Sequence, residues 1–122
     1  MDLGLSGKTV IVTGASKGIG LAVARAFVAE GARVGLVARG AEALDAAQAA
    51  LRSLGGEVAV VAADLRAADQ AEQAVAFIEA RLGPVDVLVN SAGAARKRAP
   101  ETLDAAAWRE GLDAKFLSLI HI

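Results

Sequence analysis

A chain of 122 residues makes one domain at most, and a 55% hydrophobic composition is enough to bury a substantial core. Thirteen basic and fourteen acidic residues, spread along the chain for a net charge of −1, argue against a nucleic-acid or anionic-membrane surface. Cysteine is absent, which excludes disulfide and thiolate chemistry, and the single histidine, His121, cannot build a zinc site with histidine or cysteine partners.

The N-terminus carries Asp2 rather than a basic-then-apolar leader, and no apolar run approaches the ~18 residues of a membrane span. The expectation is a soluble, cytoplasmic protein. Thr9 to Thr13 is a short β-branched run of the kind that is buried on both faces of a parallel sheet. Gly14, Gly18 and Gly20 break it, and Ile19 opens an alanine-rich helical stretch that reaches Glu30. Strand, glycine turn and helix in that order build an anion site. The glycines let backbone approach a phosphate, and the first helical N–H groups point at it with the positive end of the helix dipole. The spacing is G-x-x-x-G-x-G, so it is neither the G-x-G-x-x-G dinucleotide fingerprint nor a P-loop.

Gly31 then stands at a helix C-cap position, and Arg33 to Ala38 reads as a second buried strand. A second helix is predicted from Ala41 to Leu54, with Leu44, Ala47, Leu51 and Leu54 on one apolar stripe and Gly55-Gly56 as its stop. Val58 to Ala63 is the third strand and closes on Asp64. The third helix spans Asp69 to Leu82, with Ala71, Val75, Ile78 and Leu82 on one face and Gly83-Pro84 at its end. Val85 to Val89 makes a fourth strand, finishing at Asn90-Ser91-Ala92-Gly93. A polar loop with Arg96, Lys97 and Arg98 leads to a last helix from Asp104, whose apolar side holds Trp108, Leu112, Phe116 and Leu119.

Four strands separated by helices call for an α/β fold: a Rossmann-type, doubly wound parallel sheet in three αβα layers with right-handed crossovers. In the strand order 3-2-1-4, ligands sit at the carboxyl ends of strands one and four, the ends that Gly14 and Asn90 mark. At the tip of strand two, an NAD site places an acid about 20 residues past the glycines for the ribose 2′-hydroxyl. Here the tip reads Ala38-Arg39-Gly40, with no acid before Glu42. A guanidinium clamps a 2′-phosphate that a carboxylate would repel. Arg39 and Lys17, with Ser16 as a neutral donor, therefore predict NADP(H) preferred over NAD(H). The plain alternative is that both cations are solvated surface residues.

Thr13-Gly14-x-x-x-Gly18-Ile19-Gly20 resembles the cofactor turn of the short-chain dehydrogenase/reductase family, and the resemblance covers the whole chain. Asp64 is similar to the family's adenine-binding aspartate, with Leu65 as the adjoining contact; capping the following turn is its alternative role. Asn90-Ser91-Ala92-Gly93 is similar to the family's Asn-Asn-Ala-Gly, which steadies the sheet and lines the cofactor ribose. The cofactor set implied is Gly14, Ser16, Lys17, Gly18, Ile19, Gly20, Arg39, Asp64, Leu65, Asn90, Ala92 and Gly93. The resemblance implies hydride transfer between a nicotinamide and a small-molecule carbonyl or alcohol.

Two departures stand out. The family's helix-four Asn, which joins a proton relay, is Lys115 here, and an ammonium cannot accept a hydrogen bond. The family's catalytic Ser and Tyr-x-x-x-Lys are also missing. The chain has no tyrosine, and none of Ser53, Ser91 or Ser118 lies where the catalytic Ser should be. No catalytic residue is therefore assigned within the chain. An open strand-four edge, an exposed helix-four face and an uncapped Leu117–Ile122 predict the N-terminal cofactor half, residues 1–122, of a protein about twice as long. That protein would pair as a homodimer or homotetramer through helix four, with His121 at an interface or in the core. The other function classes open to this sequence are a non-catalytic nucleotide-binding or scaffolding module, and an epimerase or enoyl reductase of the same fold.

Overall fold

The computed structural model describes residues 3–16, 18–92 and 104–113. Among these residues eight elements alternate strictly: β1 (Thr9–Thr13), α1 (Gly18–Ala29), β2 (Arg33–Ala38), α2 (Ala41–Arg52), β3 (Val58–Ala62), α3 (Ala68–Leu82), β4 (Val87–Val89) and α4 (Ala105–Leu112). All strand pairs are parallel, in the order β3-β2-β1-β4 that the alternation predicts.

The period-two alternation of the strands sorts the core into two layers. Val10 and Val12 of β1 with Val34 and Leu36 of β2 pack toward Ala24 and Val28 of α1 and Leu44 and Leu51 of α2. Ile11 and Val37 face the opposite way, onto Ala71, Ala74, Ile78 and Leu82 of α3. Every residue of β1 is buried, and among the described residues β1 and β2 are the strands paired on both sides. Gly35 of β2 brings α3 close to the sheet: a Cβ there would lie 2.5 Å from Ile78 Cγ2.

The differences from the predicted elements lie at their ends, and each has a local cause. β4 begins at Val87 rather than Val85, because the Val85 N–H donates to Glu79 Oε2 of α3 at 3.2 Å instead of to β1. The ladder starts one residue later, where the Asp86 N–H donates to the Thr9 carbonyl (2.8 Å) and Asp86 Oδ2 accepts the Thr9 N–H (2.9 Å). α2 ends at Arg52, so Leu54 leaves the apolar stripe and is 56% exposed, while Leu44, Ala47 and Leu51 are buried. There the helix tightens into shorter turns, with Leu54 N–H bonded to the Leu51 carbonyl and Gly55 N–H to that of Arg52. On α3, Ala74 is buried and Val75 only half-buried. β3 stops at Ala62, although the Ala63 N–H still reaches the Ala38 carbonyl at 2.8 Å. On α4, Trp108 and Leu112 are exposed; Phe116, Leu119 and His121 lie outside the described residues, as do Arg96, Lys97, Arg98 and Lys115.

Candidate cofactor crevice

The carboxyl ends of all four strands open into one crevice of about 360 Å³. Parallel strands present their last residues on the same edge, so the crevice is built by topology before any side chain is considered.

The turn after β1 forms its floor. Gly14 has φ 65°, and a Cβ there would lie 2.7 Å from the Ser91 carbonyl oxygen and 2.9 Å from Ala92 Cα. Only a glycine lets this turn touch the chain leaving β4. Gly20, buried in the first turn of α1, carries no Cβ because one would overlap the Gly14 carbonyl. Gly14 and Gly20 thus hold the N-terminus of α1 against the strand end. That first turn contains no acidic residue, which leaves the positive end of the helix dipole free for an anion.

Thr13 locks the floor to the far wall. It is fully buried, and its Oγ1 accepts the N–H groups of Ser91 and Ala92, both at 3.1 Å, while donating to the Val89 carbonyl at 3.4 Å. One hydroxyl therefore satisfies two backbone donors just past β4 and sets where Ser91 and Ala92 line the crevice.

From β2 come Arg39 and Gly40, both exposed at the crevice mouth. From β3 come Asp64, Leu65 and Arg66. Asp64 Oδ1 accepts the Arg66 backbone N–H and Nε–H, each at 3.0 Å, and Oδ2 accepts Arg66 Nη2 at 2.8 Å. The Arg66 hydrogen bonds, with its charge and that of Arg39 in support, hold the Asp64 carboxyl at about 2 against the opposing effect of burial. The same pairing raises the Arg66 pKa. Asp64 closes its own turn, the alternative role the sequence offers it, and also lines the crevice.

The structure thus gathers Gly14, Ser16, Arg39, Asp64, Leu65 and Ala92 around one space. It does not place Gly18, Ile19, Gly20 or Asn90 on the lining. Gly18 and Gly20 shape the turn, Ile19 is 79% exposed, and Asn90 is exposed at the end of β4. Lys17 and Gly93 lie outside the described residues. Sequence reasoning missed two contributors. Thr13 was legible as a hydroxyl closing an apolar strand, and Arg66 as a cation two residues after an aspartate, the spacing of an Asx turn.

The comparisons with known proteins converge on this arrangement. A family model described as short chain dehydrogenase matches residues 8–122. The chain belongs to the short-chain dehydrogenase family. Galactitol 2-dehydrogenase (L-tagatose-forming) of Cereibacter sphaeroides is 46% identical over 107 residues, which are 87% of this chain and 41% of that protein. Gluconate 5-dehydrogenase of Gluconobacter oxydans is 39% identical over 104 residues, 85% of this chain and 41% of that protein. The crystal structure of L-sorbose reductase from Gluconobacter frateurii, complexed with NADPH and L-sorbose, superposes with a TM-score of 0.90 at 33% identity, covering 99% of this chain and 46% of that one. The chain therefore spans less than half the length of each of these short-chain dehydrogenase relatives.

The crevice suits the nicotinamide dinucleotide that the family implies. It offers a glycine floor that a Cβ would fill, a helix N-terminus free of acids, and both a cation and a carboxylate at its outer end.

Proposed function

We propose that residues 1–122 form the cofactor half of an NADP(H)-dependent oxidoreductase acting on a small-molecule alcohol or carbonyl compound. The observation that carries the cofactor choice is Arg39 at the tip of β2, opening into the crevice where an NAD site would hold an acid. In this reading the N–H groups of the Gly14–Gly20 turn hold the pyrophosphate, and Arg39 takes the 2′-phosphate, with Lys17 as a second cation and Ser16 as a neutral donor to it. Asp64 accepts from the adenine amino group beside Leu65. Asn90, Ala92 and Gly93 flank the ribose. When bound, the nicotinamide supplies the hydride acceptor or donor.

The group that moves the proton is supplied from outside these 122 residues, which contain no tyrosine. The partial coverage of every relative reported above supports that division, and the polyol, sugar-acid and sugar named for those relatives support a small-molecule alcohol or carbonyl substrate. The apolar side chains exposed on β4 and α4, Leu88, Trp108 and Leu112, would then be covered by further polypeptide, of the same chain or a second copy.

Arg39→Asp tests the assignment. Titration of the intact protein with each reduced cofactor should show NADPH affinity falling by roughly tenfold or more and NADH affinity rising, the change expected from exchanging a charge-assisted pair for a repulsion. Equal affinities for the two cofactors, before and after the change, would remove the 2′-phosphate from Arg39.

A further inference from the structure

Among the described residues three charged side chains line the crevice: Arg39, Asp64 and Arg66. Only two of them are joined, through the ion pair of Asp64 Oδ2 with Arg66 Nη2 at 2.8 Å. The pair is local and tied to the backbone, since the Arg66 N–H closes the turn onto Asp64 Oδ1 at 3.0 Å. Arg66 also faces the negative field of Glu110 and Asp113 at the end of the α4 segment. Asp64 feels Arg39 as well as Arg66. The aspartate therefore has two cations within electrostatic reach and is bonded to one.

We propose that Arg66 is a cofactor-selectivity residue that acts through Asp64: by holding this carboxylate, it leaves Arg39 available to the 2′-phosphate of NADP(H). The inference rests on the reading of Arg39 given above and adds a second residue to it. With Arg66 present, the described lining carries two positive charges and one negative. Without it one of those positive charges is lost, and the unheld carboxylate both repels a phosphate dianion and competes for Arg39. Such a carboxylate penalises NAD(H) less, because its 2′-hydroxyl carries no charge. Arg66 touches neither the ribose nor the phosphate in this scheme, so it is a positioning residue. Three donor groups of Arg66 make four bonds to Asp64, the Nε–H being shared between Oδ1 and Oδ2, so most of the carboxylate's acceptor capacity is already engaged.

The test is a calorimetric titration of the intact protein with NADP+ and with NAD+, read as the ratio of the two dissociation constants so that a general loss of folding cancels. Arg66→Gln should raise the NADP+ constant on the order of tenfold and leave that of NAD+ nearly unchanged, the effect of one uncompensated, partly solvated charge. Adding Asp64→Asn to Arg66→Gln should return the ratio to that of Asp64→Asn alone within about threefold, because the target of Arg66 is then gone. Arg66→Lys, which keeps the charge and loses the fork, should fall between. Arg66→Gln weakening both cofactors equally, or neither, overturns the proposal. Arg39→Ala in the same series separates the two levels: if it abolishes the preference and Arg66→Gln does not, only Arg66 is wrongly placed. If Arg39→Ala leaves the preference intact, the 2′-phosphate reading itself fails.

Discussion

Thr13 shows how much of the crevice hangs on one side chain. Two N–H groups, of Ser91 and Ala92, end on its Oγ1 at 3.1 Å, across a sequence gap of almost 80 residues. Thr13→Val keeps the shape and removes the acceptor, leaving two partly buried donors unpaired, at a cost of about 1–3 kcal/mol. Chemical denaturation should show that loss, and cofactor titration should show a weaker complex, because the Ser91-Ala92 wall is no longer fixed. Thr13→Ser should behave almost as the parent. A Thr13→Val protein of unchanged stability would mean that water satisfies those donors and that the hydroxyl is not the lock. The residues named from sequence divide along the same physical line. Gly14, Ser16, Arg39, Asp64, Leu65 and Ala92 were legible because motif spacing fixes backbone position at strand ends. The bonds of Thr13 and Arg66 were not, because they depend on which carbonyl, amide or carboxylate arrives from elsewhere in the fold.

At the scale of elements, the strands β1 and β2 matched their predicted spans because continuous apolar runs have no other low-energy place than the middle of the sheet. Ends were less legible where a side chain diverts a backbone group, as Glu79 does to Val85 before β4. The contact between β2 and α3 is equally hidden in sequence, since Gly35 reads there only as a weak spot in a strand. In space it is where Ile78, fully buried, presses onto the sheet. Gly35→Ala places a Cβ 2.5 Å from Ile78 Cγ2, on a β-branched side chain that is stiff at χ1. Thermal or denaturant unfolding should report a loss of about 1–3 kcal/mol from overpacking. The same change in an Ile78→Ala background should cost far less, since the clash partner is gone. Equal costs in both backgrounds would show that strand propensity, not the contact, sets the effect.

For the molecule as a whole, the alternation of strands and helices dictates a parallel sheet, and the order β3-β2-β1-β4 places four strand ends on one rim. Anion-binding backbone, two arginines and one held carboxylate are therefore concentrated on that rim in a chain whose net charge is only −1. The account requires the rim to take a dinucleotide in a fixed direction, with its 2′-phosphate end at β2 and its adenine against β3. The most direct measurement is a crystal structure of the intact protein grown with NADPH. It should show the 2′-phosphate on Arg39, the adenine between Asp64 and Leu65, and the pyrophosphate over the Gly14–Gly20 turn. A cofactor bound with its 2′-phosphate away from Arg39, or bound outside this rim, would contradict the account.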